Sequence, residues 1–166
     1  MVNKFLYLMI IIIFLLATGR SEIYVLAEMN KNYVVVTSAR IKENLPLEIN
    51  FTHSVQKTPV IEELNFDGEK FILLRTKYKS HGVGLPFMES DGVFREEDGY
   101  FIMDDMNRPI KNLSLRTGVG TNLTIKLDGE EIKLYEKYPE GTEIDIIKSS
   151  SLEIFFMMLK RRIFTD

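Results

Sequence analysis

Between residues 21 and 150 the hydrophobic positions recur mostly at every second residue, the period at which one face of a β-strand is buried. Ile23 to Ala27 and Tyr33 to Thr37 are two β-rich runs around the turn-like trio Asn30-Lys31-Asn32, which predicts a first hairpin. Leu45, Leu47, Ile49 and Phe51 then alternate with Pro46, Glu48, Asn50 and Thr52. That is a half-buried strand, and Pro46 fits it only near the start or on an edge.

Val60, Glu62, Leu64 and Phe66 fall on one face of a further strand, and Asp67-Gly68 is the pair a two-residue type I′ turn prefers. Such a turn sets Phe66 opposite Glu69, Leu64 opposite Phe71, Glu62 opposite Leu73 and Val60 opposite Arg75. Glu62 and Arg75 become diagonal neighbours on an apolar face, where a carboxylate needs a partner and a guanidinium fork suits it. A Glu62 to Arg75 contact is predicted. Downstream, Asp98-Gly99 joins Val93 to Glu97 with Tyr100 to Asp104, and Asp128-Gly129 sets Ile125 opposite Ile132 and Leu123 opposite Leu134. Leu113 and Leu115 mark another strand, Tyr138 to Gly141 a turn, and Ile144 and Ile146 the start of the last strand.

The period then changes. Ser150 and Glu153 form a capping box, and Leu152, Phe155, Phe156, Leu159 and Ile163 recur at helical spacing, a stripe expected to join the core. About ten short strands with one C-terminal helix predict a mainly β protein, an antiparallel barrel or a sandwich of short hairpins.

Ahead of this pattern, Lys4 precedes the unbroken apolar run Phe5 to Ala17. Its length fits a signal-peptide core and is short for a full membrane span, which needs about twenty residues. The expectation is a leader or membrane anchor over residues 1–21 and one extracytoplasmic β domain over 22–166. The protein is then exported or sits in the cell membrane as a single-pass protein, with Lys4 holding the N-terminus inside.

A net charge of -3 and a pI near 5.5 argue against a nucleic-acid surface. Cysteine is absent, which removes disulfides, thiol nucleophiles and thiolate metal sites.

Both histidines and an unusual density of proline and glycine lie around residues 46–86. The runs FTHSVQKTP, VIEEL and YKSHGVGLP resemble the family catalogued as domain of unknown function 1850. The residues that carry the likeness are His53, Ser54, Val55, Thr58, Pro59, Val60, Glu62, Ser80, Gly82, Gly84 and Pro86; His81 stands where an aromatic or another residue is expected. The resemblance implies a small protein with one hydrophobic N-terminal segment, often encoded beside TAXI-type TRAP transporters for organic acids. It implies no activity. The partner it suggests is the TRAP permease or its extracytoplasmic binding protein.

Read as chemistry, His53-Ser54 suggests a base and nucleophile, with Glu62 as the orienting acid of an exported hydrolase, yet neighbours on a strand point to opposite faces. His53, His81 and Glu62 supply three ligands for a divalent ion, without spacing that marks a metal site. Gly82-Val83-Gly84 and Gly118-Val119-Gly120 are candidate anion nests, and Arg75, Arg108 and Arg116 candidate carboxylate binders. We assign no catalytic residue, metal or cofactor from the sequence. The expected interaction surface is the motif itself, comprising His53, Ser54, Thr58, Pro59, Glu62, Arg75, Ser80, Gly82, Gly84 and Pro86.

Overall fold

The computed structural model describes residues 4–11, 19–82 and 84–163. Residues 4–11 form a helix, α1, whose side chains are exposed. Among the described residues no helix is long and apolar enough to cross a membrane; residues 12–17 of the predicted Phe5 to Ala17 segment lie outside them.

Two antiparallel sheets carry the fold. The smaller has the order β2-β1-β12-β9, built from β1 (Ser21–Met29), β2 (Asn32–Arg40), β9 (Leu113–Arg116) and β12 (Glu143–Ser150). The larger runs β11-β10-β3-β4-β5-β7-β6, with β8 also paired to β5. Its strands are β3 (Leu45–Thr52), β4 (Pro59–Phe66), β5 (Phe71–Tyr78), β6 (Val93–Glu97), β7 (Tyr100–Asp104), β8 (Arg108–Ile110), β10 (Thr124–Leu127) and β11 (Glu130–Lys133). A short helix α2 (Leu134–Lys137) follows β11, and α3 (Ser151–Ile163) follows β12. Because β11 and β6 end the larger sheet without pairing, the arrangement is sandwich-like and not a closed barrel.

Alternation explains the packing. Ile23, Val25 and Ala27 of β1 and Ile144 and Ile146 of β12 face Leu45, Leu47, Ile49, Leu64, Phe66, Phe71 and Leu73 in one buried cluster. Each of the valine, leucine, isoleucine and phenylalanine side chains among them contributes about 1.5–3 kcal/mol when fully buried. On the opposite face of β1, Tyr24 and Leu26 are covered by Ile154 of α3. Strand β1 is therefore apolar on both faces and reads as a continuous run.

The two-residue turns behave as their residues dictate. Asn30 and Lys31 (φ 51° and 64°) and Asp98 and Gly99 (φ 50° and 72°) close hairpins with both central residues left-handed. Ile125 pairs Ile132 across Asp128-Gly129, and the Leu123 carbonyl accepts the Leu134 N–H at 3.0 Å.

The Asp67-Gly68 hairpin departs from its predicted register. Phe66 pairs Phe71 across a four-residue loop, because the Asp67 carboxylate accepts the N–H groups of Glu69 and Lys70 at 2.8 and 2.9 Å. Leu64 then pairs Leu73, Glu63 pairs Arg75 and Glu62 pairs Thr76, so Leu74 is the extra residue of a bulge. The bulge turns Arg75 to the outer face. There it meets Glu63 at 3.1 Å and Asp104, and the predicted Glu62 to Arg75 contact does not form.

Helix α3 has the predicted cap: Ser150 N–H donates to Glu153 at 2.9 Å and Glu153 N–H to Ser150 Oγ at 3.2 Å. Its stripe is corrected. The side toward the sheet is Ile154, Met157 and Met158, while Phe155, Phe156 and Leu159 are exposed.

Candidate functional site

At the end of the larger sheet that carries β5, β7 and β6, a small buried cluster separate from the main core lies against the motif loops. Tyr78 pairs Phe101, Thr76 pairs Met103 and Phe94 pairs Met103, so these side chains share one face. Leu85 closes over Val60 and Tyr78, with Phe51 and Phe101 at the margin. The loop after β5 is tied down by the Tyr78 hydroxyl, which donates to the Pro86 carbonyl at 2.5 Å. Burial first, and then the charge of Asp91, push that phenol above its ordinary value and keep it a donor.

His53 follows β3 on the parity of Leu45, Leu47, Ile49 and Phe51, and its side chain turns inward as that parity dictates. It is 8% exposed, and its Nδ1 accepts the N–H groups of Val55 and Gln56, each at 3.2 Å. An accepting Nδ1 puts the hydrogen of the neutral ring on Nε2. The His53 N–H donates to Thr58 O, and Lys57 N–H to His53 O, both at 2.9 Å, so residues 53–58 form a closed loop around the imidazole. Gly82 lies against the same ring: a Cβ there would stand 3.0 Å from Cε1 and Nε2 of His53 and 3.2 Å from Gln56 Cγ. This close approach joins the two halves of the motif. In the same loop, Thr58 Oγ1 is buried with no hydrogen-bond partner among the described residues.

His81 is exposed and stacks on Phe101 at 4.3 Å, with Phe94 at 6.3 Å and Tyr78 edge-on at 5.6 Å. Gln56, His81, Gly82, Leu85 and Phe87 line an open cavity of about 500 Å³ beside this stack. The aromatic stack and Phe87 were missed by the motif. The Asp98-Gly99 register does place Phe94 and Phe101 on one face, but nothing in sequence spacing brings His81 to them.

Other candidates separate. Ser54 and Pro59 are exposed, Ser80 is within 3.4 Å of Gln56, and Gly84 takes a left-handed φ of 88°. Val83, the centre of the first candidate nest, lies outside the described residues. In the second, the Gly118 N–H is already bound by Thr121 Oγ1 at 3.2 Å. Glu62 stands opposite Ile49, four residues up the strand from His53, a separation of about 13 Å along the strand. The geometry that a His53, Ser54 and Glu62 enzyme needs is not assembled. Among the described residues no three His, Cys, Asp or Glu side chains could hold a metal ion.

The three arginines do not converge. Arg75 and Arg95 share Asp104 on the outer face, with Arg95 at 2.6 Å, and Lys77 meets Glu63 at 2.5 Å. Burial works to raise the Asp104 carboxyl, but the two guanidinium contacts outweigh it and hold the group below its ordinary value. Arg116 pairs Glu143 at 3.0 Å. Arg108 is the cation nearest in effect to Glu62: burial raises the Glu62 carboxyl and the Arg108 charge offsets part of that rise.

A family model described as a domain of unknown function, DUF1850, matches residues 47–134. The chain belongs to the DUF1850 family. The matched part of this DUF1850 protein holds both motif loops, nearly all of the larger sheet and β9; β1, β2, β12 and α3 lie outside it. No curated protein and no solved structure matches the chain.

Glu62 offers a pH test. Its raised carboxyl means the folded state holds the proton more tightly than the unfolded chain, so stability falls as pH rises from the ordinary carboxylate value through the raised one. Glu62→Gln should raise the thermal midpoint at neutral pH and lose that advantage at about pH 4. Destabilisation at neutral pH that shrinks at about pH 4 would show instead that attraction to Arg108 outweighs burial.

Proposed function

We propose that this DUF1850 protein is a non-enzymatic accessory protein, held at the outer side of the cytoplasmic membrane by its N-terminal apolar segment. Its motif face binds a protein partner, the permease or the extracytoplasmic binding protein of a TAXI-type TRAP transporter for organic acids. One observation carries the binding role. The loops around the motif and the adjoining β6 expose Val55 (72%), Phe87 (64%), Met88 (56%), Val93 (56%) and Phe94 (46%). Phe87 lines the cavity and Phe94 belongs to the stack beside it, and exposed apolar side chains beside a cavity mark an interaction surface more often than a solvated one. His53 and Gly82 give the loops a fixed shape, which lowers the ordering cost of association.

The test is binding of the full chain, in detergent or nanodiscs, to a purified TAXI-type binding protein and permease. Phe87→Ser together with Met88→Ser should weaken binding at least about tenfold, since apolar anchors at the centre of an interface carry most of its energy. Thermal stability should hardly change, because both side chains are exposed. Wild-type binding that the double variant leaves intact would move the interface elsewhere, and absence of binding by wild type would remove the transporter partner.

A further inference from the structure

Helix α3 is apolar on two opposite sides. At roughly 100° per residue, Ile154, Met157 and Met158 make the side seated on Tyr24, Leu26, Tyr33 and Ile147. Leu152, Phe155, Phe156 and Leu159 fall on the far side, where Phe155 is 59% exposed, Phe156 49% and Leu159 40%. Glu153 and Lys160 occupy one flank between them. A helix that is apolar nearly all round is ordinarily covered all round, and among the described residues only one side of α3 is covered.

Two observations identify the cover. Ser150, the cap of α3, pairs Ser21, the first residue of β1. The chain therefore enters the domain from the apolar N-terminal region at the root of α3, and in that region α1 exposes every side chain from Phe5 to Ile11. At the other end of the helix the sequence reads Lys160-Arg161-Arg162, a cation run in a protein of net charge -3. An aromatic and aliphatic row ending in cations suits the headgroup boundary of an anionic bilayer.

We infer that α3 lies along the surface of an anionic membrane, with Phe155, Phe156 and Leu159 dipping into the headgroup boundary. This rests on the reading of the N-terminal segment as a tether and adds a second attachment about 20 Å long, the span of its 13 residues. Two attachments fix an orientation, with the smaller sheet toward the bilayer and the motif loops of the larger sheet free for a partner.

The chain has no tryptophan, so single Trp variants of the full-length protein report on one position each. Phe156→Trp reports on α3, with Phe155→Trp repeating it; Leu8→Trp reports on the tether, and Val119→Trp, at an exposed loop, is the control. The proteins are mixed with phosphatidylcholine vesicles with and without phosphatidylglycerol, carrying brominated acyl chains. Phe156→Trp should shift to the blue and be quenched in the anionic vesicles, several-fold more than in the neutral ones, while Val119→Trp is not quenched. Solvent-like emission from Phe156→Trp and Phe155→Trp in vesicles overturns the inference. So does a blue shift without lipid, whether concentration-independent, from the N-terminal segment folded over the row, or concentration-dependent, from a second copy. Equal quenching in both lipids overturns the anionic preference. If Leu8→Trp is quenched and Phe156→Trp is not, the tether stands and only the α3 contact fails; if neither is quenched, both fail.

Discussion

Gly92→Ala is expected to detach β6 from the larger sheet. Gly92 has a φ of 154°, and a Cβ built on it would lie 2.2 Å from the backbone carbonyl oxygen of Asp104. The obstacle is backbone, so no rotamer change relieves it. The chain must retreat at the point where Val93 begins to pair Asp104, the first of only five pairs that hold β6. Overpacking of this kind together with an unfavourable φ costs about 2–4 kcal/mol. Loss of β6 also withdraws Phe94 from His81 and Arg95 from Asp104. Hydrogen exchange should show the β6 and β7 amides opening first, with the core strands β1 and β12 retaining protection. Protection in β6 equal to wild type would mean that the close approach to Asp104 is not a constraint.

For His53 the expected loss is of similar size but different origin. His53→Ala removes the acceptor for the Val55 and Gln56 N–H groups and the ring on which Gly82 rests. Two hydrogen bonds at about 1 kcal/mol each and the void left by a buried ring amount to about 2–4 kcal/mol. Residues 53–58 should become the first site of proteolytic cleavage in the folded protein. His53→Asn separates the two contributions, because an amide oxygen stands near the place of Nδ1 and can accept the same N–H groups. Loop protection should return in part with asparagine while global stability stays below wild type. An alanine variant as stable and as protease-resistant as wild type would show that the imidazole does not organise the motif.

The two residues are unequal in what a reader of the chain can see. Glycine 92 follows an aspartate and reads as a turn; only the passage of its backbone over Asp104, a residue of the neighbouring strand, shows why a side chain is excluded. His53 continues the inward parity of Leu47, Ile49 and Phe51, so its burial was legible, but that Gly82 of a separate loop closes against its ring was not. The exposed row on α3 shows the same division. Its period was legible, but which side the sheet would take depended on Tyr24 and Leu26, more than a hundred residues away.

By itself the sequence determined what local physics decides: alternating burial, a turn within Asn30-Lys31-Asn32, the tight turn at Asp98-Gly99, the capping box at Ser150, and hence a mainly β chain with one terminal helix. It also carried the DUF1850 motif. Only the tertiary structure decided the rest. It chose between sandwich and barrel, because closure depends on whether the outermost strands meet. It gave Arg75 to Glu63 and Asp104, because the Asp67 carboxylate favours a four-residue loop and Leu74 bulges to absorb it. It also built the aromatic stack beside the motif, because His81, Phe94 and Phe101 come from three segments whose approach no local preference encodes.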